Sequence, residues 1–206
     1  MTESSLKSTG SANSPDPSEE WAGLIQNVEM LIDKQDYEEA ERLALRALEF
    51  AETFAVNDRR LGVTLELLSQ LYFFAGQFQY GAPVIMRLLQ MYRRLLGHNH
   101  VDTATITYNA AVLYHSWRKF EEAGVFYQQA MYIKACKLGS DHPEVESIRK
   151  DYAVYLRDAS RTKGRVTRNL RAIKAPPPES SRDKMRRSGQ WTAVASEMTD
   201  HLQSDS

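Results

Sequence analysis

One cysteine in 206 residues, Cys136, leaves room for neither an internal disulfide framework nor a multi-cysteine zinc site. Its setting, "MYIKACKLG", reads as helical, where a packed thiol is expected rather than a nucleophile. No apolar run approaches the roughly 18 residues that a membrane-spanning helix needs. The stretch "MTESSLKSTGSANSPDP" lacks the basic-then-apolar layout of a secretory signal, so the expectation is a cytoplasmic protein. The phosphate-cradling GxxxxGK, the nucleophile elbow GxSxG and the dinucleotide-binding GxGxxG are all missing. On this basis the reading is no enzyme, no catalytic residue, no cofactor and no metal. An excess of either charge is also absent, with 26 basic against 27 acidic residues, but the balance is local. Residues 161–190 hold ten Lys/Arg against Glu179 and Asp183, a net of +8, which leaves −9 for the rest.

What is present is a period. Asp16, Asn57, Asn99 and Asp141 stand 41, 42 and 42 residues apart, and each can accept hydrogen bonds from the first amides of a helix. Three residues on come Glu19, Arg60, Asp102 and Glu144; an acid there suits the positive end of the helix dipole, and Arg60 breaks that part of the pattern. Pro17 and Pro143 fall in first turns, where a missing amide hydrogen costs little. A second set keeps the same interval: Tyr37, Phe78 and Phe120, each followed three positions later by Ala40, Gly81 or Ala123. Apolar residues lie at helical spacing before this landmark (Leu65, Leu68, Tyr72) and after it (Ile85, Leu88, Leu89), and strand-like alternation is absent. Each unit is therefore a helix pair, and pairs must stack to bury their apolar faces. His100 and His142 fall in equivalent joints, "LGHNH" and "LGSDH", directly after the expected caps, so they read as structural rather than as metal ligands with His98.

The pattern resembles the tetratricopeptide repeat (TPR), with Ala110, Ala111, Tyr114, Ala123, Tyr127 and Ala130 matching best. The 42-residue length, the "NAAVLY" of the third copy and the "LG…DHPEV" joint are similar to the kinesin-light-chain subtype. The resemblance implies an all-α solenoid of about three helix pairs over 16–175, closed by a capping helix over 143–160 that Gly164 breaks. That helix would pack Ile148, Tyr152, Leu156 and Ala159 inward and turn Asp151 and Asp158 to water. It also implies a non-enzymatic adaptor that holds a partner peptide or helix on the concave face. The groove residues carried over are Gln26, Glu29 and Asp33; Glu66, Gln70 and Phe73; Tyr108, Asn109 and His115; then Lys150 and Arg157. Where chaperone-tail binders of the family carry a basic clamp, this chain reads Ile25, Glu29, Leu67 and Gln70, so a ligand with apolar anchors and positive charge toward the first repeat fits better.

Residues 1–15 and 176–206 are mostly Ser, Pro, Gly and charge, and are expected to be disordered. Within the second of these, Trp191 and Met198 would share one face of a helix and form a tail anchor, docking on a partner or folding back as a pseudo-ligand. Two rival roles follow from composition. Phe50, Phe54, Tyr92 and Tyr132 on second helices would support a self-associating scaffold if they lay outside the core. The basic stretch would support nucleic-acid or anionic-surface binding, although it has no interleaved aromatics for base stacking, which disfavours nucleic acid.

Overall fold

The computed structural model describes residues 16–55 and 58–168. Asn57, the expected tails over 1–15 and 176–206, and the tail anchor Trp191 and Met198 lie outside the described residues. Seven helices follow one another: α1 Pro17–Asp33, α2 Tyr37–Thr53, α3 Arg59–Ala75, α4 Phe78–Leu95, α5 Val101–Ser116, α6 Phe120–Leu138 and α7 Pro143–Arg168. Tyr37, Phe78 and Phe120 each open the second helix of a pair, as their spacing predicts. Each helix packs on its sequence neighbours, and α1 also touches α3. No strand occurs among the described residues.

The caps correct the sequence reading by one residue. Asp16 Oδ1 accepts from the Ser18 amide at 3.0 Å and Asp58 Oδ1 from that of Arg60 at 2.8 Å. In the next two copies a ring nitrogen does this work: His100 Nδ1 accepts from Asp102 N at 3.2 Å and His142 Nδ1 from Glu144 N at 3.3 Å. Asp16, Asp58, His100 and His142 are spaced by 42 residues throughout, a stricter period than the one predicted. The two histidines are thus the caps themselves, not the residues after them. Arg60, the break in the acidic pattern, is a tie between pairs. Its guanidinium clasps Asp58, donates to Ser18 Oγ at the start of α1, and lies 3.3 Å over the Phe54 ring.

Close packing rests on small residues. On α2, Ala40, Ala44 and Ala47 have no exposed surface. On α4, a Cβ at Gly81 would lie 3.0 Å from Leu113 Cδ1 and 3.1 Å from Tyr72 Cβ, so glycine lets α4 settle between α3 and α5 without displacing either side chain. Of the four aromatics expected outside the core, Tyr132 is 69% exposed. Phe50 and Phe54 are half-buried and Tyr92 is buried, which removes Tyr92 from an outer contact face.

Turn chemistry is equivalent but not equally favourable in the three pairs. Gln35, Gly76 and Arg118, each two residues before the second helix, have φ of 64°, 73° and 64°. Glycine meets no Cβ penalty there, whereas an L-residue pays about 1 kcal/mol. Gln35→Gly is therefore expected to raise stability by about 0.5–1 kcal/mol, read as a higher urea midpoint; a fall would show that the side chain contributes more than the strain costs. Arg118 differs, because its guanidinium donates to Thr162 Oγ1 at 2.8 Å and sits 5.2 Å over Phe120.

The closing helix departs most from expectation. It runs to Arg168, past Gly164, because one helical glycine costs only about 1 kcal/mol and does not by itself end a helix. Its inward stripe is Val145, Ile148, Tyr152 and Tyr155, while Leu156 is 50% exposed. Asp151 and Asp158, expected in water, turn to α5. Asp151 Oδ2 accepts from Tyr108 Oη at 2.5 Å, and Asp158 Oδ2 lies 3.4 Å from His115 Nε2.

Candidate functional site: the face of the first helices

The first helices of the pairs present equivalent positions when counted back from the residue that opens the following helix. Eleven before stand Gln26, Leu67 and Asn109; eight before stand Glu29, Gln70 and Val112. Exposure falls along these rows. Gln26 and Glu29 are exposed, Leu67 is buried and Gln70 half-buried, and Asn109 and Val112 are buried. Among the described residues α1 packs mainly on α2 and α3, whereas α5 packs on α4 and α6 and is clasped by α7 as well. The face is therefore most accessible at the first pair.

Of the predicted groove residues, Gln26, Glu29, Asp33, Lys150 and Arg157 are exposed and Gln70 is intermediate. Glu66, Phe73, Tyr108, Asn109 and His115 are buried. Three of the buried ones, Phe73, Tyr108 and His115, tie one helix to another. Phe73 packs edge-on to Phe74 and Phe78, with ring centroids 5.6 and 6.1 Å apart. Tyr108 donates to Asp151, and burial together with that carboxylate pushes its hydroxyl pKa far up, so the phenol keeps its proton as a donor. On α7, Lys150 reaches back to Glu146 Oε1 at 3.8 Å.

Charge marks the accessible end. Between Asp16 and Ala55, eleven Asp/Glu stand against three Lys/Arg, a net of −8; between Asp58 and Ser160, ten stand against twelve, a net of +2. Partial burial, and then the neighbouring Asp33, raise the Glu29 carboxyl above its ordinary range. After the α1–α2 turn, Asp36, Glu38, Glu39, Glu41, Arg42 and Leu45 line a hollow. Sequence reasoning placed Glu29 and Asp33 but missed this hollow and the α5–α7 clasp; the clustering of acids in one unit was the available signal for the hollow.

Such an arrangement offers hydrogen-bond acceptors and negative charge to an extended ligand. Among the described residues no three His, Cys, Asp or Glu side chains gather as metal ligands, and no helix is long and apolar enough to cross a membrane.

No family model matches the chain, and no curated protein matches it. Solved structures do. BtubC (BKLC) from P. vanneervenii superposes with a TM-score of 0.59 at 24% identity, over 69% of this chain and 58% of that one. A Podosopora anserina protein described as a kinesin light chain with nearly identical TPR-like repeats superposes with a TM-score of 0.60 at 16% identity, over 93% of both chains. The chain thus spans less than two thirds of the length of BtubC. These likenesses, with the 42-residue caps and the stacked pairs, give the fold: an all-α, TPR-like repeat solenoid.

Proposed function

We propose that this chain is a non-enzymatic protein-interaction adaptor, and that its ligand is a peptide or helix laid along the face of α1, α3, α5 and α7. The reading rests mainly on the exposed acidic row at the first pair, Glu29 and Asp33, continuing into half-buried Gln70 of the second. A ligand suited to this face carries Lys or Arg at the first-pair end and apolar side chains toward the second pair. Glu66, Phe73, Tyr108, Asn109 and His115 support the face from beneath rather than touching the ligand first.

Peptide display against the full chain tests this. Selected peptides are expected to be enriched in Lys/Arg beside an apolar residue, and Glu29→Arg with Asp33→Arg is expected to reverse that preference to Asp/Glu. Both positions are exposed, so the variant leaves the core intact. Selection indifferent to the reversal would remove the face as the binding site.

A further inference from the structure

We propose that the outer stripe of α6, Val125, Gln129, Tyr132 and Cys136, is a contact surface for a second copy of this chain, with the two α6 helices antiparallel. These positions stand five, nine, twelve and sixteen residues after Phe120, which opens α6, and steps of four, three and four place them on one face. All four are exposed, Val125 by 53% and Tyr132 by 69%; Cys136, expected to be packed, is exposed with them. None of the four makes a hydrogen bond, ion pair or ring contact among the described residues. The same row is exposed on the other two second helices, but there it is charged: Arg42, Arg46 and Glu49 on α2, Arg87 and Arg94 on α4. Three of these arginines are held by carboxylates, Arg42 by Glu39, Arg46 by Glu20 and Arg87 by Glu52. On α6 the row has lost its charge and carries an exposed aromatic instead, which is the composition of an interface centre.

The occupant follows from symmetry and charge. A two-fold contact pairs residue i with residue j and j with i. With the axis between Gln129 and Tyr132, antiparallel helices set Val125 against Cys136 of the second copy and Gln129 against its Tyr132, because the spacing reads the same in both directions. Apolar then meets apolar at the ends, and at the centre an amide meets a phenol, each able to donate and to accept. Charge fixes the direction. Lys137, beside Cys136, comes level with Gly124 of the other copy, two and three residues from its exposed Glu122 and Glu121. Parallel helices would instead set Glu121 and Lys137 against their own like charges. One helix on one helix lies at the small end of specific interfaces, below about 1,200 Å². Monomers are therefore expected at about 1 µM chain and dimers at about 0.1 mM. The association does not rest on the adaptor reading. Its consequence does: a dimer displays two first-helix faces, and a ligand with two basic segments gains by avidity.

Analytical ultracentrifugation of the full chain from about 1 µM to about 0.1 mM is expected to show monomer passing to dimer. Tyr132→Glu is expected to raise the dissociation constant about tenfold or more, with an unchanged urea midpoint at low concentration because the position is 69% exposed. Oxidation then reads the register. In Val125→Cys the new thiol is expected to bridge to Cys136 of the other copy, with a dimer yield at least about fivefold above that of Tyr80→Cys, an exposed position on α4. Residues 125 and 136 of one helix lie about 16 Å apart, too far to bridge to each other. Antiparallel packing keeps the two native Cys136 thiols equally far apart, so the unsubstituted chain is expected to stay unbridged. A bridge between native Cys136 residues would overturn the antiparallel pairing. A dimer indifferent to Tyr132→Glu would overturn the stripe as its contact. A chain monomeric throughout would overturn the assignment, in favour of its own residues 169–206 if the thiol of Val125→Cys resists alkylation, and of a different protein if that thiol reacts freely. Peptide selection that failed while the dimer persisted would remove the adaptor reading and leave this contact standing.

Discussion

Replacing Tyr127 with alanine is expected to lower the unfolding free energy by about 3–5 kcal/mol and to loosen α7 ahead of the rest of the stack. Tyr127 is 1% exposed and lies where α5, α6 and α7 meet. Its ring stands 6.1 Å from both Tyr108 and His115 of α5, and 5.9 and 5.5 Å from Tyr152 and Tyr155 of α7. Truncation removes the shared partner of all four rings, and the residual cavity cannot collapse, because Tyr155 is fixed by its hydroxyl donating to Phe120 O at 2.9 Å. Tyr155 already lies against α6 where Gly124 has no side chain: a Cβ there would fall inside van der Waals distance of its Oη and 3.1 Å from its Cζ. Tyr132→Ala, on the same helix but 69% exposed, is the control and is expected to cost under about 0.5 kcal/mol. Urea unfolding gives the magnitudes, and hydrogen exchange on α7 amides gives the order of release. A cost below about 1 kcal/mol, or unchanged α7 protection, would show that α7 is held from elsewhere.

That junction also shows where the sequence was legible and where it was not. The helix pairs could be read because their signals are local and repeated: an aromatic opens each second helix and a small residue follows three positions later. Three caps were misplaced by one residue: Asn57 is an expected acceptor type but Asp58 beside it accepts, and in place of Asn99 and Asp141 the Nδ1 of His100 or His142, one residue on, accepts instead. On α7, an alternation of steps of three and four fits either Tyr155 or Leu156. The choice is made by Phe120 O, 35 residues away, which gives a tyrosine hydroxyl an acceptor that a leucine could not use. Asp151 and Asp158 read as solvated charges for the same reason. Their partners, Tyr108 and His115, lie 43 residues earlier, one repeat away, and a charge alone on a helix face does not announce a buried donor on another. The candidate face was legible at its first-pair end, where Gln26, Glu29 and Asp33 are exposed. It was not legible at Tyr108, Asn109 and His115, where the stacking of α7 on the third pair decides burial.

His115 makes stability depend on pH, with a definite sign. The side chain is 5% exposed and faces Asp158 and Asp151 of α7, Tyr127 of α6, and Arg118 at the end of its own helix. Burial, the largest effect, disfavours the imidazolium and lowers the pKa below 6.5, although Asp158 and then Asp151 pull the other way. The neutral ring suits its neighbours: Nε2–H points to Asp158 Oδ2 at 3.4 Å, and Nδ1 receives the Tyr127 hydroxyl at 3.4 Å. Once the chain unfolds, the imidazole regains an ordinary pKa near 6.5, so below that pH the unfolded state binds more protons than the folded one. The stabilisation is complete above about pH 6.5 and is lost as the pH falls through the folded value. Its slope approaches at most about 1.4 kcal/mol per pH unit, one proton's worth. His115→Gln keeps a donor and an acceptor but does not titrate. Urea unfolding from about pH 8 down to about pH 5, spanning the ordinary histidine pKa, should therefore show the wild type losing more stability than the variant. The other four histidines are common to both proteins and cancel in the difference. Parallel curves would mean that Asp158 and Asp151 offset burial completely; a wild type that gained relative to the variant on acidification would mean that they exceed it, making the α5–α7 clasp an ion pair rather than a neutral contact.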